Sequence, residues 1–312
     1  NQGDENWHLY RGDLEGGEPK NLTPIQGVNA QLLAVGHRFP SEVLVGLNDR
    51  NPQLHDVWRL NLETGEKVLV QENPGFTGFG FDEDYVLRFA TRMMPEGGMQ
   101  ILSPAAGGQW ETFLDIPMED SLTTGLRGFD KTGQVLYLED SRGRNTSAIY
   151  AWDLRTGERK LIAEDPRSDA GSLLMHPTEN SLQAVSFEYE RLHWRLLDAS
   201  VRSDFEALSK LEEGEFQLVS RTLDDTLWLV AFQRDNGPVT YYLWERRSRK
   251  AKFLFTNHKA LEGLPLAAMH PVAIPARDEL QLLSYLTLPV GSMHSPRNPR
   301  PRHPLPTVLV VH

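Results

Sequence analysis

The 312-residue sequence predicts an all-β fold, and three observations carry that expectation. Tyr150, Trp152 and Leu154 alternate with Ala151 and Asp153, the period-2 pattern of a strand, and a second strand follows from Arg159 to Ala163. Between them Arg155-Thr156-Gly157-Glu158 supplies a turn in which Gly157 is free to take φ > 0. The same hairpin recurs at 10–23, 58–70 and 242–255, the last with Ser248 where the others have glycine, and more weakly at 100–114 around Gly107-Gly108. Steps of 42 to 50 residues separate the turns, with one masked copy between 157 and 248. About four strands fit in each step, which is the spacing of β-propeller blades. One blade cannot bury both faces of its sheet, so each copy needs neighbours.

The elements then fall in order. Residues 1–24 hold only the closing hairpin of a blade, so the sequence reads as starting inside a propeller. A first full blade covers about 28–73, with strands at 31–35 and 43–47, a polar loop at 48–53 and the Trp58 hairpin as its outer pair. A second covers about 76–117, with a strand at 85–90 and a turn at 93–98. A third covers about 123–166, with a strand at 134–138 and the charged loop 140–145. The fourth, about 169–213, has a strand at 181–189, and then 198–211 reads as a helix. Val201, Phe205, Leu208 and Leu211 form one apolar stripe there, and Asp198 or Ser200 caps its start. The fifth, about 216–257, is regular again. This gives about five full four-stranded blades plus a partial one. Trp7, Trp58, Trp152, Trp194 and Trp244 recur near blade strands, as packing between blades requires.

After Asn257 the repeat stops. Strands are expected at 271–277 and 281–288 around Asp278-Glu279, then a proline-rich loop at 290–306. Thr307–Val311 is a continuous apolar run of the kind found in a strand buried on both faces of a helix-covered sheet. The domains expected are therefore 1–262, a propeller incomplete at its N-terminus, and 263–312, the truncated start of a different fold.

Residues 269–289 (MHPVAIPARDELQLLSYLTLP) followed by 305–312 (LPTVLVVH) resemble the junction of prolyl oligopeptidase-family serine peptidases, in the acylaminoacyl-peptidase and dipeptidyl-aminopeptidase-like branch. The text at 41–66 resembles bacterial members of that branch. The resemblance implies that the propeller precedes and caps an α/β-hydrolase domain, of which 263–312 are the first strands. It makes His312 the residue that opens the oxyanion-loop motif, a structural role. Glu279 stands where the family has glycine, in a turn that asks for φ > 0.

The family chemistry needs a serine on a Gly-x-Ser-x-Gly elbow, then an aspartate and a histidine. No such pentapeptide occurs in the 312 residues, so no catalytic residue is assigned and this chain by itself is expected to be inactive. Glu188, Glu190 and Arg191 are the densest candidate substrate contacts. Acidic side chains of a propeller hold a substrate amine in aminopeptidase-like relatives, and the alternative is a strand end whose charges are solvated or paired. Asp49-Arg50 and Arg142 to Arg144 are further loop charges, where an arginine can grip a carboxylate.

The ten histidines show no metal-ligand spacing, and neither a metal nor a cofactor is expected. A net charge of −11 argues against nucleic acid, and no apolar run approaches the ~20 residues of a membrane span. The absence of cysteine and of a visible signal favours the cytoplasm. The partners expected are short peptides, with homo-oligomerisation compatible with either reading. The alternatives are a free-standing binding or scaffold propeller of a transport or envelope complex, and a propeller glycoside hydrolase with paired carboxylates.

Overall fold

The computed structural model describes residues 3–295 and 298–311. The chain is mostly β, and its blade sheets divide between two compact units, 1–164 and 165–312.

In the first unit, β1 (Tyr10–Arg11) and β2 (Lys20–Asn21) form a short hairpin. Three antiparallel meanders of four strands follow. The first is β3 (Ala30–Val35), β4 (Glu42–Asn51), β5 (Leu54–Asn61) and β6 (Lys67–Gln71). The second is β7 (Gly78–Phe81), β8 (Leu87–Met93), β9 (Met99–Pro104) and β10 (Trp110–Ile116). The third is β11 (Gly125–Phe129), β12 (Val135–Asp140), β13 (Ala148–Asp153) and β14 (Arg159–Glu164). The polar loop expected at 48–53 is instead mostly strand: β4 runs on to Asn51 and pairs it with Leu54, leaving a two-residue turn. The reason is electrostatic. Arg50 donates twice to the buried carboxylate of Asp56 at 2.8 Å and once to the Asn73 carbonyl at 3.0 Å, tying the polar tip to its own sheet.

Two copies of the recurring turn share one construction. Asn61 Oδ1 accepts from the Glu63 and Thr64 amides, and Asp153 Oδ1 accepts from those of Arg155 and Thr156. Gly65 and Gly157 then take φ of 81° and 76°. These side-chain caps close the chain back on itself, so the polar residues of the repeat have a structural task.

In the second unit, β15 (Ala170–Met175), β16 (Leu182–Tyr189) and β17 (Arg191–Leu196) form a sheet of three strands, not the four expected for a full blade. A 3-10 turn at Ala199–Val201 and the helix α1 (Arg202–Leu208) follow where an outer strand would lie. Asp198 caps this segment by accepting from the Ser200 amide at 2.8 Å. Val201, Phe205 and Leu208 are buried in the apolar cluster of the unit, whereas Leu211 lies beyond the helix and is exposed. The next sheet is complete: β18 (Glu215–Arg221), β19 (Leu227–Gln233), β20 (Thr240–Glu245) and β21 (Lys250–Thr256).

A charged network fastens the helix to that sheet. Asp204 accepts from Trp244 Nε1 at 2.9 Å and from Arg246 Nε and Nη2 at 3.0 and 2.9 Å. Arg246 also donates to Asp225 and to the Ser200 carbonyl.

In the β20–β21 turn the residue with positive φ is Arg249, at 53°, and not Ser248. The repeat thus keeps its backbone shape after losing its glycine. Arg249→Gly removes a side chain from the left-handed region, and a stability gain of about 0.5–1 kcal/mol is expected in urea unfolding. An unchanged or lower midpoint would show that the turn is not strained there.

Beyond the last sheet, β22 (Met269–Pro275) and β23 (Gln281–Thr287) pair as a hairpin, with Glu279 at φ 71° in its turn. The loop expected over 290–306 contains a small hairpin of β24 (Met293–Ser295) and β25 (Asn298–Pro301).

Thr307–Val311 is not a buried strand. It pairs with no strand among the described residues, and Val308 to Val311 are 82% to 86% exposed. A strand exists only as part of a ladder, and apolar β-branched residues do not make one without neighbours to bond. The start of an α/β-hydrolase sheet is thus not formed in this structure, and His312 lies outside the described residues. Trp7 also departs from the packing expectation, being 70% exposed.

Candidate functional site

The tip joining β16 to β17 gathers the sequence-derived candidates. β16 is buried from Gln183 to Phe187 and emerges at Glu188. Tyr189 pairs directly with Arg191, so Glu190 alone makes the turn, and its φ is 61°. A non-glycine residue persists in that region only where its surroundings hold it. Here Tyr285 of β23 donates to the Glu190 carbonyl at 3.0 Å.

Arg191 is held from a third direction. Its Nη2 donates to Asp235 Oδ2 at 3.0 Å and to the Met269 carbonyl at 2.7 Å, and Glu215 Oε1 lies 4.0 Å from Nη1. Asp235 Oδ2 also accepts the Met269 amide at 2.8 Å. Burial pushes the Asp235 carboxyl up, but the Met269 amide and Arg191 outweigh it and hold the group below the usual aspartate range. Burial and then the charge of Glu188 push the Tyr285 phenol up, so it stays a donor at neutral pH.

The tip and the β22–β23 hairpin are therefore one fastened assembly. Beside it opens a cleft of about 360 Å³ lined by Arg191, Glu213, Glu215, Arg234 and Asp235, among others.

Of the three candidates, Arg191 is paired. The carboxylates of Glu188 and Glu190 are exposed and make no hydrogen bond or ion pair among the described residues. The arrangement can thus offer two acceptors on a backbone that does not move freely, which suits an ammonium group. Sequence reasoning missed Asp235, Glu215 and Tyr285. They lie 24 to 95 residues from the tip along the chain, and only the tertiary fold brings them to it.

The other loop charges have structural partners. Asp49 pairs with Lys67 at 2.7 Å, Arg142 with Asp140 at 2.9 Å, and Arg144 with Glu164. His176 Nδ1 accepts the Glu179 amide in its turn. Among the described residues no group of three or more His, Cys, Asp or Glu is placed to hold a metal ion, and no helix is long and apolar enough to cross a membrane.

No family model matches the chain. It is 42% identical over 311 residues to dipeptidyl aminopeptidase BIII of Pseudoxanthomonas mexicana, a match covering 99% of this chain and 45% of that protein. It is 26% identical over 305 residues to dipeptidyl peptidase family member 6 of Caenorhabditis elegans, covering 93% and 41%. Among solved structures, a Mycobacterium tuberculosis puromycin-hydrolyzing peptidase matches with a TM-score of 0.57 at 13% identity, covering 92% of this chain and 48% of that one. Dipeptidyl peptidase 4 of Porphyromonas gingivalis matches with a TM-score of 0.52 at 10% identity, covering 93% and 49%. These structural likenesses show the fold alone, the mostly β succession of three- and four-stranded antiparallel sheets described above. The chain spans about half the length of the curated relatives it matches, and over that span it is similar in sequence to a dipeptidyl aminopeptidase and to a dipeptidyl peptidase family member.

Proposed function

We propose that this chain is the substrate-gating propeller portion of a serine dipeptidyl aminopeptidase that acts on short peptides. In this reading residues 1–262 are the propeller, and 263–312 open the α/β-hydrolase domain. Supporting the second part is the text of 269–289 and 305–312, with its strand, Arg277-Asp278 turn and strand. The propeller's task is to admit small or unfolded peptides and keep bulk water from the chemistry.

One observation carries the assignment of substrate: two unengaged carboxylates, Glu188 and Glu190, project from a tip whose backbone and arginine are fixed by Tyr285, Asp235 and Met269. A peptide with a free N-terminus presents an ammonium to them. An acylated peptide presents a neutral amide and loses the charge-assisted bonds. The same contact then sets how far along the peptide the scissile bond falls, because the amine end is anchored.

The test is equilibrium binding of Ala-Pro-amide and its N-acetyl form to the 312-residue chain. The free amine is expected to bind about 10- to 100-fold more tightly, and the Glu188→Gln/Glu190→Gln double variant is expected to erase that difference. Equal binding of the two peptides to the unaltered chain would refute the amine reading.

A further inference from the structure

A second cavity, of about 770 Å³, is bounded by the Arg234–Pro238 turn between β19 and β20, by the end of β21 and by residues 259–264. Its volume is that of a site for a small organic ligand. Part of its wall is aromatic: Phe253 is half exposed and stands edge-on to Tyr242, with ring centroids 5.7 Å apart.

The rest is polar. Tyr242 donates to Glu212 Oε2, and Arg234 Nη1 lies 3.5 Å from Glu212 Oε1. Burial, and then Glu212, push the Tyr242 phenol up to about 12, so its proton stays committed to that carboxylate at neutral pH.

Two buried atoms on residues lining this wall have no hydrogen-bond partner among the described residues: Arg234 Nε and the hydroxyl of Thr240, a residue only 6% exposed. Buried donors left without acceptors are rare because they forfeit their hydration for nothing. The guanidinium is also held in place. A Cβ on Gly237 would meet Arg234 Nη2 at 3.1 Å and its Cζ and Nε at 3.3 Å, so the plane of the group rests on bare backbone.

We propose that this cavity binds a carboxylate that carries an apolar side chain, the carboxylate on Arg234 and Thr240 and the side chain on Tyr242 and Phe253. The donors ask for an anionic acceptor, and the aromatic wall asks for an apolar body on the same molecule. The C-terminal residue of a peptide has this chemistry, and so has a free aryl-alkanoate. The cavity shares Arg234 with the cleft beside the tip, but none of the hydrogen bonds that fasten the tip uses that residue.

Equilibrium dialysis of the 312-residue chain with N-acetyl-phenylalanine tests this, because the probe lacks the amine that the tip would hold. Saturable binding is expected, weakened about 10- to 100-fold in N-acetyl-phenylalanine amide. Arg234→Gln is expected to remove the preference for the acid. Gly237→Ala, which leaves every charge in place but displaces the guanidinium, is expected to weaken acid binding while thermal unfolding shows the chain still folded. Binding of 3-phenylpropanoate as tight as that of N-acetyl-phenylalanine would uphold the carboxylate site and assign it to simple aryl acids; weaker binding would assign it to peptide C-termini. Equal binding of acid and amide, or no saturation up to about 10 mM, would overturn the proposal.

Discussion

Asp204→Ala is expected to destabilise the second unit by about 3–5 kcal/mol in urea unfolding. The aspartate is buried in α1, and its loss leaves the Trp244 indole N–H without an acceptor. It also strips two of the hydrogen bonds from Arg246, whose guanidinium lies 4.6 Å over the Trp228 ring and is largely out of solvent. A cation left buried without two of its five hydrogen bonds cannot recover its hydration, so the cost exceeds the worth of the bonds themselves. Asp204→Asn keeps an acceptor for the indole and should cost less, about 1–3 kcal/mol. Amide exchange in α1 should rise further in the alanine variant than in the asparagine one. A loss below about 1 kcal/mol for Asp204→Ala would mean that the helix is held by its apolar stripe alone.

Phe187→Ala is expected to cost a similar amount, about 3–5 kcal/mol, for a different reason. Phe187 is fully buried at the end of β16, with the His193 ring stacked 5.7 Å away and the Arg195 guanidinium 5.6 Å above it. Removing the ring opens a cavity that strands paired on both sides cannot close. The next four residues are the candidate tip, so hydrogen exchange should also rise at Glu188 to Arg191. Phe187→Leu, which keeps most of the volume, should stay within about 1.5 kcal/mol. If alanine were no worse than leucine, burial at this position would not be what anchors the tip.

What the sequence made legible follows from where its pattern is strong. The outer hairpins were visible because they combine alternation with a turn whose residues have fixed tasks, as Asp153 and Gly157 show. The innermost strands were harder. GFGF at 78–81 and AGSLLM at 170–175 carry glycine where strand formers are expected. The reason is room: a Cβ on Gly78 would lie 2.8 Å from Thr91 Oγ1, and one on Gly171 2.6 Å from Ser186 Oγ.

The helix at 202–208 was readable from its stripe and its Asp198 cap, but its end was not, because Leu211 continues the periodicity after the helix has stopped. The candidate tip was readable as a charge cluster. Its partners Asp235 and Tyr285 were not, since a lone turn aspartate and a strand tyrosine have no local signature of a long-range bond. Thr307–Val311 misled for the opposite reason: composition says what a segment suits, and only neighbours decide whether the ladder forms.

The most direct measurement is cleavage of a chromogenic dipeptidyl arylamide by the 312-residue chain alone, run beside the binding of the same compound. A gating propeller is expected to bind the compound through its amine and to release no arylamine above the buffer rate, since the sequence holds no Gly-x-Ser-x-Gly to supply a nucleophile. Turnover by the purified chain that a serine-directed reagent abolishes would contradict it.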